Sequence, residues 1–414
     1  MSIIRLSVLE EGVYAPDHRG VIVDAGRSFT TRAGRDRRGE GRMPLNPRDS
    51  LPEEGGPLDT YLSRSLAVEA EALPDGAPVV VLVHGFQFDP ASGFFPPYHR
   101  KADNPHCRLY HFVGADDADM PGNDLPTQMR AHSTSWPLGL GIAAEDGGEA
   151  GLAIGFGWDS DPGILESLFG HVLNPYAVAY RSADEIAAWQ LVTLIEALTR
   201  LLPGRSIDLF CHSLGSRVAV RALAQAADEA LPETLRPRLS RAVEAVGRVV
   251  VLAGAEYVKE ARLMMRRLNA GREGRLGQPR RFERTPDFFN AVSRENDVLD
   301  VLGENFGPVH PGSRQVIGHN GLEARDPSWV DIQLDDPDVA RWFAEPDRGH
   351  DVSGDNESGV FTVADHWIHY TWPGNMALWR EILRERERWE IAEMKETAPG
   401  LFNRVRLNRR PGAD

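Results

Sequence analysis

Apolar residues along this chain gather into two kinds of run. Short, predominantly apolar runs occupy residues 78–83, 151–158, 206–211 and 246–254, the first of them mostly β-branched. Runs of that length with no polar alternation predict strands buried on both faces. Residues 107–113 show a mixed alternation, residues 287–293 a shorter run, and residues 329–334 a pattern suited to an edge strand. Between these lie helical periodicities. Asp184, Ala187, Leu191, Leu194, Ile195 and Leu198 recur at helical spacing and stop at Pro203-Gly204; a second helix is predicted from Leu214 through Ala227, and a last amphipathic one from Asn375 to about Lys395. Strand and helix alternate. That order predicts the α/β class, a mostly parallel central sheet with helices on both faces.

Three stretches break the alternation. Residues 26–57 are rich in Gly, Arg, Pro and Asp, so residues 1–57 read as an irregular N-terminal arm ahead of a domain over 58–400 and a short tail over 401–414. Residues 114–151, again loaded with Gly, Asp and Pro and containing Ser135-Trp136-Pro137-Leu138-Gly139, are too long for an ordinary connection and read as a lid-like insertion or pocket wall. Residues 335–359 read as a polar loop.

Composition narrows the function. The chain has 414 residues, enough for one large α/β domain with insertions, and carries 61 acidic against 46 basic side chains for a net charge of −15. An acidic balance argues against nucleic acid or an anionic membrane surface as partner. With only Cys107 and Cys211, no disulfide framework is implied. The opening residues lack a basic region followed by an apolar stretch, and no window is long enough to span a bilayer, so the expectation is a soluble, cytoplasmic protein.

The chemistry concentrates at Cys211-His212-Ser213-Leu214-Gly215, where a buried strand passes through one serine into a helix. A nucleophile on such a turn needs small neighbours because strand and helix backbones approach closely. The bland alternative is a serine that caps the helix. Upstream, the run at 78–83 ends in His84-Gly85-Phe86. A loop in that position can offer one backbone N–H to a developing oxyanion, and the residue after the nucleophile the other. Phe86 and Leu214 are the expected donors. The Gly-x-Gly at Gly155-Phe156-Gly157 lacks the third glycine of a dinucleotide fingerprint, and the thirteen histidines show no His-Glu-x-x-His pattern. No cofactor or metal is expected.

These strings, together with Asn296-Asp297-Val298-Leu299 and His366 followed by Tyr370, resemble the α/β-hydrolase superfamily over roughly residues 78–383. The likeness is to a poorly characterised bacterial branch with a His-Gly-Phe loop and a His-Ser-Leu/Met-Gly elbow. The usual Gly-x-Ser-x-Gly has Cys211 in place of its first glycine. The resemblance implies a Ser213, Asp297, His366 triad, in the superfamily's order of nucleophile, acid and base. Ser213 would attack a carbonyl carbon, His366 would act as base and then acid, and Asp297 would hold the other imidazole nitrogen.

Rivals exist for two of the roles. Asp300 and Glu256 compete for the acid, and His350, His369 and His319 for the base; His212 reads as a packed elbow residue. The expected activity is a serine hydrolase cleaving a small-molecule carboxylic ester. A thioesterase, a lipid-acyl hydrolase or an acyltransferase would use the same elbow, and a fold of this kind can also serve as a non-catalytic interaction module.

Overall fold

The computed structural model describes residues 3–9, 12–15, 21–23, 51, 54–69, 73–86, 88, 90, 104–110, 134–142, 151–160, 175–274, 280–296, 298–299, 315–322, 326–354, 364–402 and 405–406. Its centre is a nine-stranded sheet. The strands are β1 (Ile3–Leu9), β2 (Gly12–Ala15), β3 (Val21–Val23), β4 (Val79–Val83), β5 (Leu152–Trp158), β6 (Ile207–His212), β7 (Val246–Leu252), β8 (Asp287–Val292) and β9 (Trp329–Gln333). Their spatial order is β3-β2-β1-β5-β4-β6-β7-β8-β9. The seven strands from β1 to β9 across the sheet are parallel, and only β2 and β3 run antiparallel at one edge. The α/β class expected from the sequence is therefore the observed one.

Both faces of the sheet are covered, which is why the central strands have no polar alternation. Val79, Val81, Val83, Leu209, Cys211, Val249 and Val251 pack on one side against the helices Pro57–Glu69, Ala188–Leu201, Leu214–Ala226, Arg236–Ala245 and Val258–Glu273. Val80, Leu82, Phe210, Val250 and Leu252 pack on the other against the helices Pro337–Phe343, Pro373–Arg384 and Ile391–Thr397 and the buried Trp136. The second layer is locked at its base by ions. Arg386 pairs with the buried Asp208 of β6, and Arg248 of β7 donates to the carbonyls of Ile382, Arg386 and Trp389.

The connection from β4 runs to β5 on one side, whereas β6 is followed by β7 on the other. A reversal of this kind opens a crevice at the carboxyl ends of the strands beside it, where α/β sheets place their ligands. The ends concerned are those of β4 and β6.

Several expectations are corrected. The stretch read as an irregular arm over residues 1–57 supplies β1, β2 and β3, and β1 lies parallel to β5 inside the sheet. Residues 24–50 lie outside the described residues. The strand expected at 107–113 is, as far as Tyr110, a short helix (Pro105–Arg108), because Asn104 caps it through the N–H of His106 and Pro105 occupies its first turn. The polar loop at 335–359 contains the helix Pro337–Phe343, capped by Asp336. The last helix is two, Pro373–Arg384 and Ile391–Thr397. Of the lid-like insertion, residues 114–133 and 143–150 lie outside the described residues. Its Trp136 is fully buried against Tyr110, Phe210 and Tyr370. Among the described residues, no helix is long and apolar enough to cross a membrane.

Candidate functional site

Ser213 stands between β6 and the helix Leu214–Ala226 with φ +53° and ψ −124°. A non-glycine residue in that region costs of order 1–3 kcal/mol and persists only when its surroundings enforce it. Here they do. The Ser213 N–H donates to Leu252 O at 2.9 Å, and Ser213 O accepts from Ala255 N at 3.1 Å and Ser216 Oγ at 2.6 Å. The capping alternative fails: the Ser213 side chain makes no capping hydrogen bond, unlike Asn104, Ser135 and Asp336 at their helices. Cys211 explains the missing first glycine. It is an ordinary strand residue whose thiol points into the apolar core, where burial pushes its pKa well up. The strain sits at Ser213 instead.

Two glycines let the backbones close around this turn. A Cβ on Gly85 would lie 2.7 Å from the Ser213 Cβ, and one on Gly215 would lie 2.6 Å from His84 O and closer still to Val83 O. Because backbone atoms cannot swing aside as a side chain can, Gly215→Ala is expected to destabilise the protein by about 1–3 kcal/mol. Thermal unfolding of the variant checks this, and an unchanged midpoint would mean that strand and helix can separate freely.

The loop after β4 is held from behind. Trp158 N–H donates to His84 Nε2 at 2.9 Å, so Nδ1 carries the ring hydrogen and donates to Gly85 O, also at 2.9 Å. Ser160 Oγ donates to the same carbonyl at 2.8 Å, and Trp158 Nε1 to His84 O at 2.9 Å. Burial lowers the His84 pKa to about 3, so the ring stays neutral. Since C=O and N–H of a trans peptide point in opposite directions, pinning Gly85 O aims the Phe86 N–H away from His84 and Ser160. Leu214 N–H opens the elbow helix and is one of its unpaired donors. Neither N–H has an acceptor among the described residues. The Phe86 ring meets Tyr176 edge-on at 5.8 Å.

His366 lies not in a loop but in the helix Ala364–Thr371. His212, next to the serine, reaches the His366 carbonyl through Nε2 at 3.0 Å, and the two rings lie 4.6 Å apart. A carbonyl only accepts, so His212 is the donor. Burial drops its pKa to about 4, which keeps it an uncharged tether, as a packed elbow residue should be. The Nδ1 of His366 lies 3.2 Å from Asn296 Oδ1. No local pattern marks Asn296 for this contact, which joins residues 70 positions apart. Asp297 and Asp300 lie outside the described residues.

The rival residues are engaged elsewhere. Glu256 is fully buried, 2.7 Å from Arg217 and 2.7 Å from the N–H of Tyr257; burial outweighs that arginine and raises its pKa to about 7. Arg217 also lies over the Tyr180 ring at 3.3 Å and 3.3 Å from Asp184, which sits in a π-helical turn. His350 is near the Glu381 carboxylate at 3.2 Å and packs on Trp389. His319 donates through Nε2 to Arg294 O at 3.2 Å. His369 is sealed, held uncharged by burial with a pKa of about 3.

At the carboxyl ends of β4 and β6 the structure thus places a serine at positive φ, preceded by a histidine whose Nε2 reaches the His366 carbonyl, with the Gly85 carbonyl pinned from behind. Among the described residues, no group of three or more His, Cys, Asp or Glu side chains is placed to hold a metal ion. Comparison of the chain with protein-family models, with curated proteins and with solved structures finds no match.

Proposed function

We propose that this chain is a serine hydrolase of the α/β-hydrolase type that cleaves a carboxylic ester through an acyl-serine intermediate. The observation that carries the reading is the backbone of Ser213, a non-glycine residue at φ +53° on a strand-to-helix turn with its hydroxyl unused by the helix. An interaction module has no use for that strain, whereas a nucleophile presented above a sheet does.

In the proposed reaction, the Ser213 Oγ attacks the ester carbonyl carbon while His366 Nε2 takes its proton. The negative charge formed on the carbonyl oxygen falls to the N–H groups of Phe86 and Leu214. Collapse of the adduct breaks the ester C–O bond, and His366 returns the proton to the departing alcohol. Water, deprotonated in turn by His366, then attacks the acyl carbon, releasing the acid and restoring the serine. Asp297 is the proposed acid on His366, on the resemblance alone. The reaction consumes only ester and water.

The test is covalent labelling. Incubation of the purified full chain with a fluorophosphonate, followed by peptide mass spectrometry, is expected to place a single adduct on Ser213. A folded chain that takes no label, or takes it on another residue, would overturn the assignment.

A further inference from the structure

We propose, resting on the serine-hydrolase reading for its catalytic meaning, that Ala253 is a positioning residue for Ser213: the left-handed turn it makes after β7 inserts one extra residue opposite the serine and so aims it. β6 and β7 pair in parallel as far as His212 opposite Leu252. Ser213 continues the ladder by donating its N–H to Leu252 O at 2.9 Å. In an evenly spaced parallel ladder its carbonyl would then accept the N–H two residues beyond Leu252, that of Gly254. It accepts the Ala255 N–H instead, at 3.1 Å. One residue on the β7 side is therefore surplus, the mark of a bulge, which bends a strand and re-aims a side chain. Ala253, at φ +46°, takes up the surplus. Among the described residues, Ser213 and Ala253 are the two non-glycine residues at positive φ, and they stand across this one step of the ladder.

A turn that only had to reverse the chain would carry glycine at the left-handed position. Here the glycine comes one place later, at Gly254, and the strained position holds a fully buried alanine. Its methyl belongs to the same apolar core as Cys211 and Leu214. The segment 316–318 closes the turn from its other side. Gly318 N–H donates to Gly254 O at 2.8 Å and Ile317 N–H to Glu256 O at 2.9 Å. A Cβ on Gly318 would strike the Gly254 nitrogen and lie 2.5 Å from the Ala253 carbonyl carbon, and one on Gly254 would lie 2.8 Å from Ile317. Strain of this kind persists where the surroundings over-determine it. Alanine narrows the turn to one backbone conformation that glycine would leave loose. Since the N–H and C=O of Ser213 are fixed to the two ends of that turn, the direction of its Cα–Cβ bond follows from it. The remaining hold on Ser213 O comes from within the elbow helix, from Ser216 Oγ at 2.6 Å and Ser216 N at 3.0 Å.

The experiment compares the full chain with its Ala253→Gly and Ser216→Ala variants. Glycine accepts the same φ, so the first variant is expected to fold and to keep or raise the thermal midpoint, because relief of the left-handed alanine offsets the lost methyl. Its maximal rate of fluorophosphonate labelling is nevertheless expected to fall on the order of ten-fold, with the half-saturating concentration unchanged. Hydrogen exchange, read by mass spectrometry on peptides around Ser213 and Ala255, is expected to quicken in both. A turn that merely supports the fold would lose stability and labelling together. The proposal is overturned if Ala253→Gly leaves exchange at Ser213 and Ala255 unchanged. It is also overturned if Ser216→Ala slows labelling as much while exchange at Ala255 stays slow, since the serine would then be aimed from within its own helix. Absence of label on folded wild type would bring down the hydrolase reading instead, while the exchange data would still decide whether Ala253 holds Ser213.

Discussion

Ser213→Ala is expected to lower ester turnover about a million-fold while leaving the fold in place. The first half follows from the proposed chemistry, since alanine has no Oγ to attack the ester carbonyl carbon. Residual turnover of about a thousand- to ten-thousand-fold over water is expected from the N–H pair and substrate binding alone. The second half follows from geometry. Alanine keeps the Cβ that already meets Gly85, occupies the same strained φ, and removes a hydroxyl that caps nothing. Initial rates on a panel of acyl esters, with thermal unfolding measured alongside, check both. Turnover that survives in the alanine variant would move the nucleophile elsewhere. His350→Ala serves as a control and is expected to leave the rate unchanged, because His350 belongs to the Glu381 and Trp389 contacts of the C-terminal layer.

Glu256→Ala is expected to cost about 3–5 kcal/mol of stability near pH 8, the penalty for stranding a buried charge. The charge is that of Arg217, 3% exposed, which the variant leaves between the Tyr180 ring and the more distant Asp184. The glutamate also makes stability depend on pH. Its pKa is raised from 4.5 to about 7 in the native chain, chiefly by burial. Between those values the native chain keeps a proton that the unfolded chain releases, so the contribution is full below about pH 4.5 and is lost as pH rises towards 7. Urea unfolding of wild type and Glu256→Gln across that window is expected to show the stability difference, wild type minus variant, falling with rising pH. The glutamine variant is also expected to keep its reactivity towards fluorophosphonate. Abolished labelling in a folded Glu256→Gln would make Glu256 the acid of the triad.

Much of this architecture is legible in the sequence, for a specific reason. β4 is apolar on both faces and β6 and β7 are apolar through most of their length, so these runs stand out from their flanks. The elbow is legible because a single serine stands between small residues at the end of such a run. Local capping defeats the longer pattern at residues 105–108, where Asn104 and Pro105 start a helix inside what alternates like a strand. The same signal, Asp336 followed by Pro337, was present in the polar loop and marks the helix there. What sequence pattern does not carry is contact between distant segments. Neither β1 beside β5, nor Asn296 against His366, nor Trp136 beneath the elbow leaves a periodicity to read.

The place of β1 has a consequence in time. Its neighbour β5 follows it by ~140 residues, and at a synthesis rate of about 5–20 residues per second that partner arrives roughly 7–30 s later. Until then the run Ile3–Leu9 has no parallel ladder to join, and it can offer its apolar residues only to its own hairpin mate β2. The sheet cannot be completed on this side until the far half of the crevice is being made. During that interval the nascent chain carries a strand with one open edge that a chaperone, or another copy of the chain, can reach first.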